Sequence, residues 1–163
     1  MDINAVNAVL NSHWDGRLPV RPDVIAHRMG IQVTPLVPDG SNGNQSGYAE
    51  IVNGRYVIAY NANDSHSRIR FTLAHELGHH VLGHTQHGKK FREYSNQDLN
   101  SGNYFEERDA NSFAAELLMP REALSVMINK EKIYSIPALA SQFGVSEEAM
   151  YWRAKNLGFL NGY

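Results

Sequence analysis

The segment His75-Glu76-Leu77-Gly78-His79 constrains this chain more than any other. It lies in a run that reads as helix, roughly Ser67 to Gly83, with Asp64 or Ser65 placed to cap it. Ile69, Phe71, Leu73, Ala74, Leu77, Val81 and Leu82 surround that helix almost completely, and a helix apolar nearly all round is a buried one. The rest of the chain must therefore wrap around it. Residues i and i+4 lie about 40° apart around a helix, so His75 and His79 project the same way, one turn apart. Burying two imidazoles is costly unless something holds them. Gly78 costs about 1 kcal/mol of helix propensity relative to alanine, which predicts close approach of a neighbouring element there.

Two neutral imidazoles at this spacing can both reach one Zn²⁺. Glu76, next to the first, is close enough to hold a metal-bound water and too poorly aimed to ligate, which suits a general base. The pattern reads as a zinc hydrolase of peptide bonds. Catalytic zinc usually takes three protein ligands and a water, and with no cysteine in the chain the third must be nitrogen or oxygen. One zinc-protease pattern takes a histidine six residues after the second, but Thr85 stands there, and Leu82 replaces that pattern's glycine. His84 falls about 140° past His79 on a continuing helix and is expected to point away. The other solution is a glutamate from a second helix. Glu107 opens a predicted helix over Glu106–Leu118, and Asn111 lies one turn later on the same face, within reach of the Nδ1–H of a ligating histidine. Glu106 is the near rival, but its i+4 neighbour Ala110 belongs to the apolar stripe Ala110, Phe113, Ala114, Leu117. Asp109 and Glu116 are weaker still. His80 and His84 read as outward-facing polar residues, and Tyr94, Tyr104 and His84 are unranked candidates for an oxyanion donor.

Around this centre the chain of 163 residues reads as α+β: a small sheet of about three strands packed on the buried helix, with further helices around it. Helices are predicted over 3–13 and Pro19–Met29, followed by a strand over Ile31–Leu36 and a polar loop over Asp39–Gly47. Tyr48–Val52 and Tyr56–Tyr60 form a hairpin through Asn53-Gly54, a type I′ signal. If Tyr56–Tyr60 were the sheet edge, an extended substrate could pair with it. Thr85–Asn103 is polar and reads as a loop, a candidate lid. Pro120 ends the second site helix. Ser135 caps Ile136–Phe143, and Ser146 starts a last helix that stops at Gly158. One domain over 1–163 is expected, with 133–163 a helical subregion. Net charge is −2, so no global field draws the chain to nucleic acid or an anionic membrane. No apolar run approaches the ~20 residues that span a bilayer, and the start Met1-Asp2-Ile3-Asn4 shows no signal peptide.

Two stretches together, Phe71-Thr-Leu-Ala-His-Glu-Leu-Gly-His-His80 and Glu107-Arg-Asp-Ala-Asn-Ser-Phe-Ala-Ala-Glu-Leu-Leu-Met-Pro120, closely resemble the ImmA/IrrE family of zinc metallopeptidases. The likeness extends over roughly residues 17–160. It implies a zincin-like fold with a gluzincin-like site, in which His75, His79 and Glu107 match the metal ligands and Glu76 the catalytic glutamate. It also implies a cytoplasmic protein of a bacterium or phage. Its partner would be a helix-turn-helix transcriptional repressor that it cleaves or otherwise inactivates, in mobile-element induction, stress responses or toxin–antitoxin-like pairs. Two rival readings remain. The protein could bind and block its repressor without cutting. Alternatively, Leu139–Ala149, which itself reads helix, turn, helix, could bind DNA, though Glu147 and Glu148 open its second helix and only Arg153 and Lys155 offer positive charge.

Overall fold

A computed structural model of the chain describes residues 3–36, 45–87, 90–93 and 104–160. Helix α3 (His66–Val81) runs through its centre, preceded by α1 (Ile3–His13) and α2 (Pro22–Arg28), the latter starting at Pro22 rather than Pro19. Ser65 caps α3, its hydroxyl accepting from the Arg68 amide. Every residue from Thr72 to His80 is buried, as the all-round apolar pattern predicts.

One face of α3 packs on the sheet, whose strands are β1 (Gln32–Pro35), β2 (Gln45–Val52), β3 (Arg55–Tyr60) and β4 (Lys90–Glu93) in the order β1-β3-β2-β4. The three strands read from the sequence form its body. The β2–β3 hairpin closes through Asn53 (φ 49°) and Gly54 (φ 76°), the two positive φ values a type I′ turn requires. Strand β2 begins at Gln45, inside the segment expected as loop. Gly47 permits this: a Cβ there would sit 2.5 Å from Thr72 Cγ2 and 2.6 Å from the Ala59 carbonyl, so only glycine lets α3 lie this close to the sheet. Strand β4 adds to the body of the sheet from within the stretch expected as a lid; 88–89 and 94–103 of that stretch lie outside the described residues. Strand β3 pairs with β1 on one side and β2 on the other, so Tyr56–Tyr60 is interior and cannot add a substrate strand. Its backbone groups are already committed to the ladder.

The other face of α3 meets α4 (Tyr104–Leu118), followed by α5 (Arg121–Asn129), α6 (Ile136–Phe143) and α7 (Glu147–Asn156). Helix α5 was not expected. Pro120, read as a terminator, is also its N-cap, where a residue without N–H costs nothing. Leu77, Phe113, Leu117, Leu124, Phe143 and Met150 are fully buried in one cluster that spans the site helices and the C-terminal helices. Each such side chain stabilises the fold by roughly 1.5–3 kcal/mol. Arg70, buried on α3, clamps these parts together: its Nε donates to the Gly144 carbonyl (2.8 Å) and its Nη2 to those of Val20 (2.5 Å) and Phe143 (3.2 Å). Three carbonyls satisfy a guanidinium that burial alone would penalise. Among the described residues no helix is long and apolar enough to cross a membrane.

Candidate metal centre

Helix periodicity places His75 and His79 on one face of α3, their ring centroids 4.7 Å apart and their planes at 79°. Their Nε2 atoms approach to 3.0 Å. Glu107, in the first turn of α4, brings Oε2 to 3.1 Å from His75 Nε2 and Oε1 to 3.1 Å from His79 Nε2. Both histidines are buried, whereas the Glu107 side chain is 35% exposed, so the centre opens to solvent on the α4 side. Gly78 sets how closely the two helices meet. A Cβ on it would lie 3.0–3.1 Å from three atoms of Phe113, which confirms the close approach expected at this glycine.

Burial pushes the Glu107 carboxyl up, but hydrogen bonds from His75 and His79, and then their charges, outweigh it and hold the group well below the usual carboxylate range. Its place at the positive end of α4 favours the anion in the same direction. Glu107 is therefore a carboxylate at any ordinary pH. Glu76 is fully buried beside His75.

The outer ring nitrogens fix what the inner ones offer. His75 Nδ1 lies 3.0 Å from Asn111 Oδ1, which can only accept, so His75 carries a proton on Nδ1, and in the neutral ring its Nε2 presents a lone pair. His79 Nδ1 lies 2.9 Å from the Nδ1 of His84. When both rings carry their proton on Nδ1, the two Nε2 lone pairs and the carboxylate put three acceptors on one point, which a bound cation satisfies and which without one needs a proton on Nε2 shared with Glu107. Their ligand atoms all fall within 4.8 Å of one another, the one such group among the described residues. A tetrahedral ion with ligands at ~2.0–2.2 Å would space them ~3.3–3.6 Å apart, so a few tenths of an ångström of expansion seats it. The donor set, two imidazoles and one carboxylate, fits a borderline divalent metal.

The other acids stand aside from this point. Glu106 does not join the group. Asp109 pairs with its neighbour Arg108 (3.6 Å), and Glu116 forms a buried ion pair with Arg153 of α7 while accepting from the Arg121 amide (3.1 Å). Tyr94 lies outside the described residues, and Tyr104 is the first residue of α4, edge-on to Phe105.

Two histidines differ from expectation. His80 is buried, not outward-facing. It donates from Nε2 to the Val57 carbonyl of β3 (2.9 Å) and accepts at Nδ1 from the Thr85 hydroxyl (3.1 Å), fixing α3 to the sheet beside the ligand pair. His84 does not point away. Helix α3 ends at Val81, Gly83 turns the chain at φ 78°, and a 3-10 turn over His84–His87 carries the ring back against His79. A glycine two residues past the last helical position was the signal in the sequence for this reversal.

Among curated proteins, no relative matches the chain. A family model does: Peptidase_M78, described as the IrrE N-terminal-like domain, aligns with residues 26–155, which include α3, α4 and the whole convergent site. With most of its length covered by that match, the chain belongs to the ImmA/IrrE family of metallopeptidases.

Proposed function

We propose that the protein is a zinc-dependent endopeptidase that cleaves, and so inactivates, a partner helix-turn-helix transcriptional repressor in the cytoplasm of a bacterium or phage host. The observation that carries the chemistry is the convergence of His75 Nε2, His79 Nε2 and the Glu107 carboxylate at 3.0–3.1 Å, with Glu76 buried alongside. His75, His79 and Glu107 hold the ion in this reading, and Asn111 fixes the tautomer of His75. When bound, zinc supplies Lewis acidity that polarises a scissile carbonyl and makes water a nucleophile near neutral pH. Glu76 takes the proton from the attacking water onto a carboxylate oxygen and delivers it to the amide nitrogen as the C–N bond breaks. Burial of Glu76 keeps bulk water from competing for that proton. The whole chain acts as one domain in this reading, because the helices of 133–163 share the core of the site helices.

The DNA-reading alternative is weakened at its two cations. Arg153 is committed to Glu116 and to the Met119 carbonyl, and Lys155 sits over the rings of Trp152 (4.9 Å) and Tyr151 (5.8 Å). A docking role for this region fits better.

The test is incubation of the zinc-loaded protein with repressors encoded beside its gene, with and without chelator, and mass spectrometry for new fragments. Chelator-sensitive fragments are expected. Glu76→Gln should retain zinc and cut at least about a hundredfold more slowly. Cleavage by that variant at the original rate refutes the assignment of the base. Repressor that is neutralised but never cut replaces the proposal with the blocking reading.

A further inference from the structure

We infer that His84 is the positioning residue for His79, and that metal binding selects a single tautomer of His84. The inference rests on the metal reading above and adds a residue to it.

His79 is fully buried, and its Nε2 faces His75 Nε2 and Glu107 Oε1. To ligate there, Nε2 must carry a lone pair, which places the proton of the ring on Nδ1. A buried N–H without an acceptor costs about 1–3 kcal/mol. The acceptor in place is His84 Nδ1 at 2.9 Å, with the two rings edge-on, centroids 5.1 Å apart at 65°. The contact exists because Gly83 (φ 78°) ends α3 and reverses the chain, a conformation that L side chains rarely adopt.

The two ligand histidines thus have unlike supports. Asn111 presents His75 with an amide oxygen, which accepts in every state. His84 accepts at Nδ1 only when its own proton is on Nε2. In the metal-free pair the shared hydrogen can belong to either Nδ1. A cation on His79 Nε2 removes that choice: the hydrogen stays with His79, and His84 becomes the Nε2–H tautomer. His84 also braces the ring of His79 against rotation, so its loss is felt as weaker metal binding. Outer partners of this kind are typically worth about 10–100-fold in metal affinity.

Zn²⁺ affinity is measured by chelator competition on the full-length protein, His84→Ala and His84→Asn. The Oδ1 of asparagine takes the place of His Nδ1 as an acceptor. His84→Ala should bind zinc about 10–100-fold more weakly, and His84→Asn should recover most of the loss. Alanine binding as tightly as the original, or asparagine binding as weakly as alanine, overturns the inference. Long-range ¹H–¹⁵N spectra of the unmutated, zinc-loaded protein need no variant to fold. They should show His84 protonated at Nε2 and not at Nδ1, and the opposite pattern also overturns it. If the unmutated protein takes up no zinc, the metal reading fails and carries this inference with it. If it takes up zinc and His84→Ala does too, equally well, only the role of His84 fails.

Discussion

Gly78→Ala sets helix propensity against packing in one residue. Propensity alone favours the alanine by about 1 kcal/mol. The new Cβ would lie 3.0 Å from Phe113 Cδ1 and 3.1 Å from its Cβ and Cγ, where relaxed carbon contacts sit at about 3.5–4.0 Å. Turning the ring does not relieve the contact with Phe113 Cβ, which moves only with the α4 backbone. Phe113 is fully buried, so α4 cannot yield without disturbing the core behind it. Overpacking of this kind costs about 1–3 kcal/mol. Packing therefore wins, and a net loss of about 1 kcal/mol is expected, read as a thermal midpoint lower by roughly 2–4 °C for a chain of this size. The same displacement moves Glu107, six residues earlier on α4, away from imidazoles it now meets at 3.1 Å. Zinc affinity should fall together with stability, measured by urea unfolding of the metal-free protein and by chelator competition. A variant about 1 kcal/mol more stable than the original, with unchanged zinc affinity, would show that α3 and α4 are not held at their contact limit and would refute the argument.

Two further outcomes follow from buried polar contacts. Burial lowers the pKa of His80, the Val57 hydrogen bond partly opposes this, and the charge of His79 adds to the lowering. Because the folded value lies below the unfolded one (~6.5), the unfolded state takes up the proton first. The contribution of His80 is therefore intact above about pH 6.5 and is lost as pH falls from there towards the folded pKa. Unfolding of metal-free protein should depend less steeply on pH below 6.5 in His80→Gln than in the original, and identical slopes would contradict this. Arg153→Met should cost about 3 kcal/mol, because among the described residues it leaves the buried Glu116 carboxylate with only the Arg121 amide. Adding Glu116→Gln should restore much of that loss in urea unfolding, and a single variant within ~0.5 kcal/mol of the original would mean that the pair is energetically idle.

Much of the centre was legible because it is local. The spacing of His75 and His79, the surrounding apolar residues and the Asn53-Gly54 turn are properties of a few consecutive residues, and helix or hairpin geometry converts them directly into positions. Glu107 and Asn111 followed from the same rule applied to a second helix, and the structure brings both within 3.1 Å of the histidines of the first. The rule that places His79 does not carry to His84, because the helical angle stops applying at Gly83, where the helix has already ended. Helix α5 is not legible from Pro120, because a proline there ends one helix and opens the next with the same residue. The interior place of β3 could not be read from Tyr56–Tyr60, since a strand of that composition suits an edge and a middle equally.

The sequence by itself determined that one buried helix carries two imidazoles and a carboxylate, because periodicity is fixed by backbone geometry within a few residues. Tertiary structure decided which ligating histidine Asn111 meets, His75, and alone supplied the other partners: His84 for His79, and the Val57 carbonyl and Thr85 hydroxyl for His80. Those contacts depend on where α3 stops, how closely α4 crosses Gly78 and which strand lies beneath. Each of these is settled by the packing of distant segments and by the cost of leaving a buried polar group unmet.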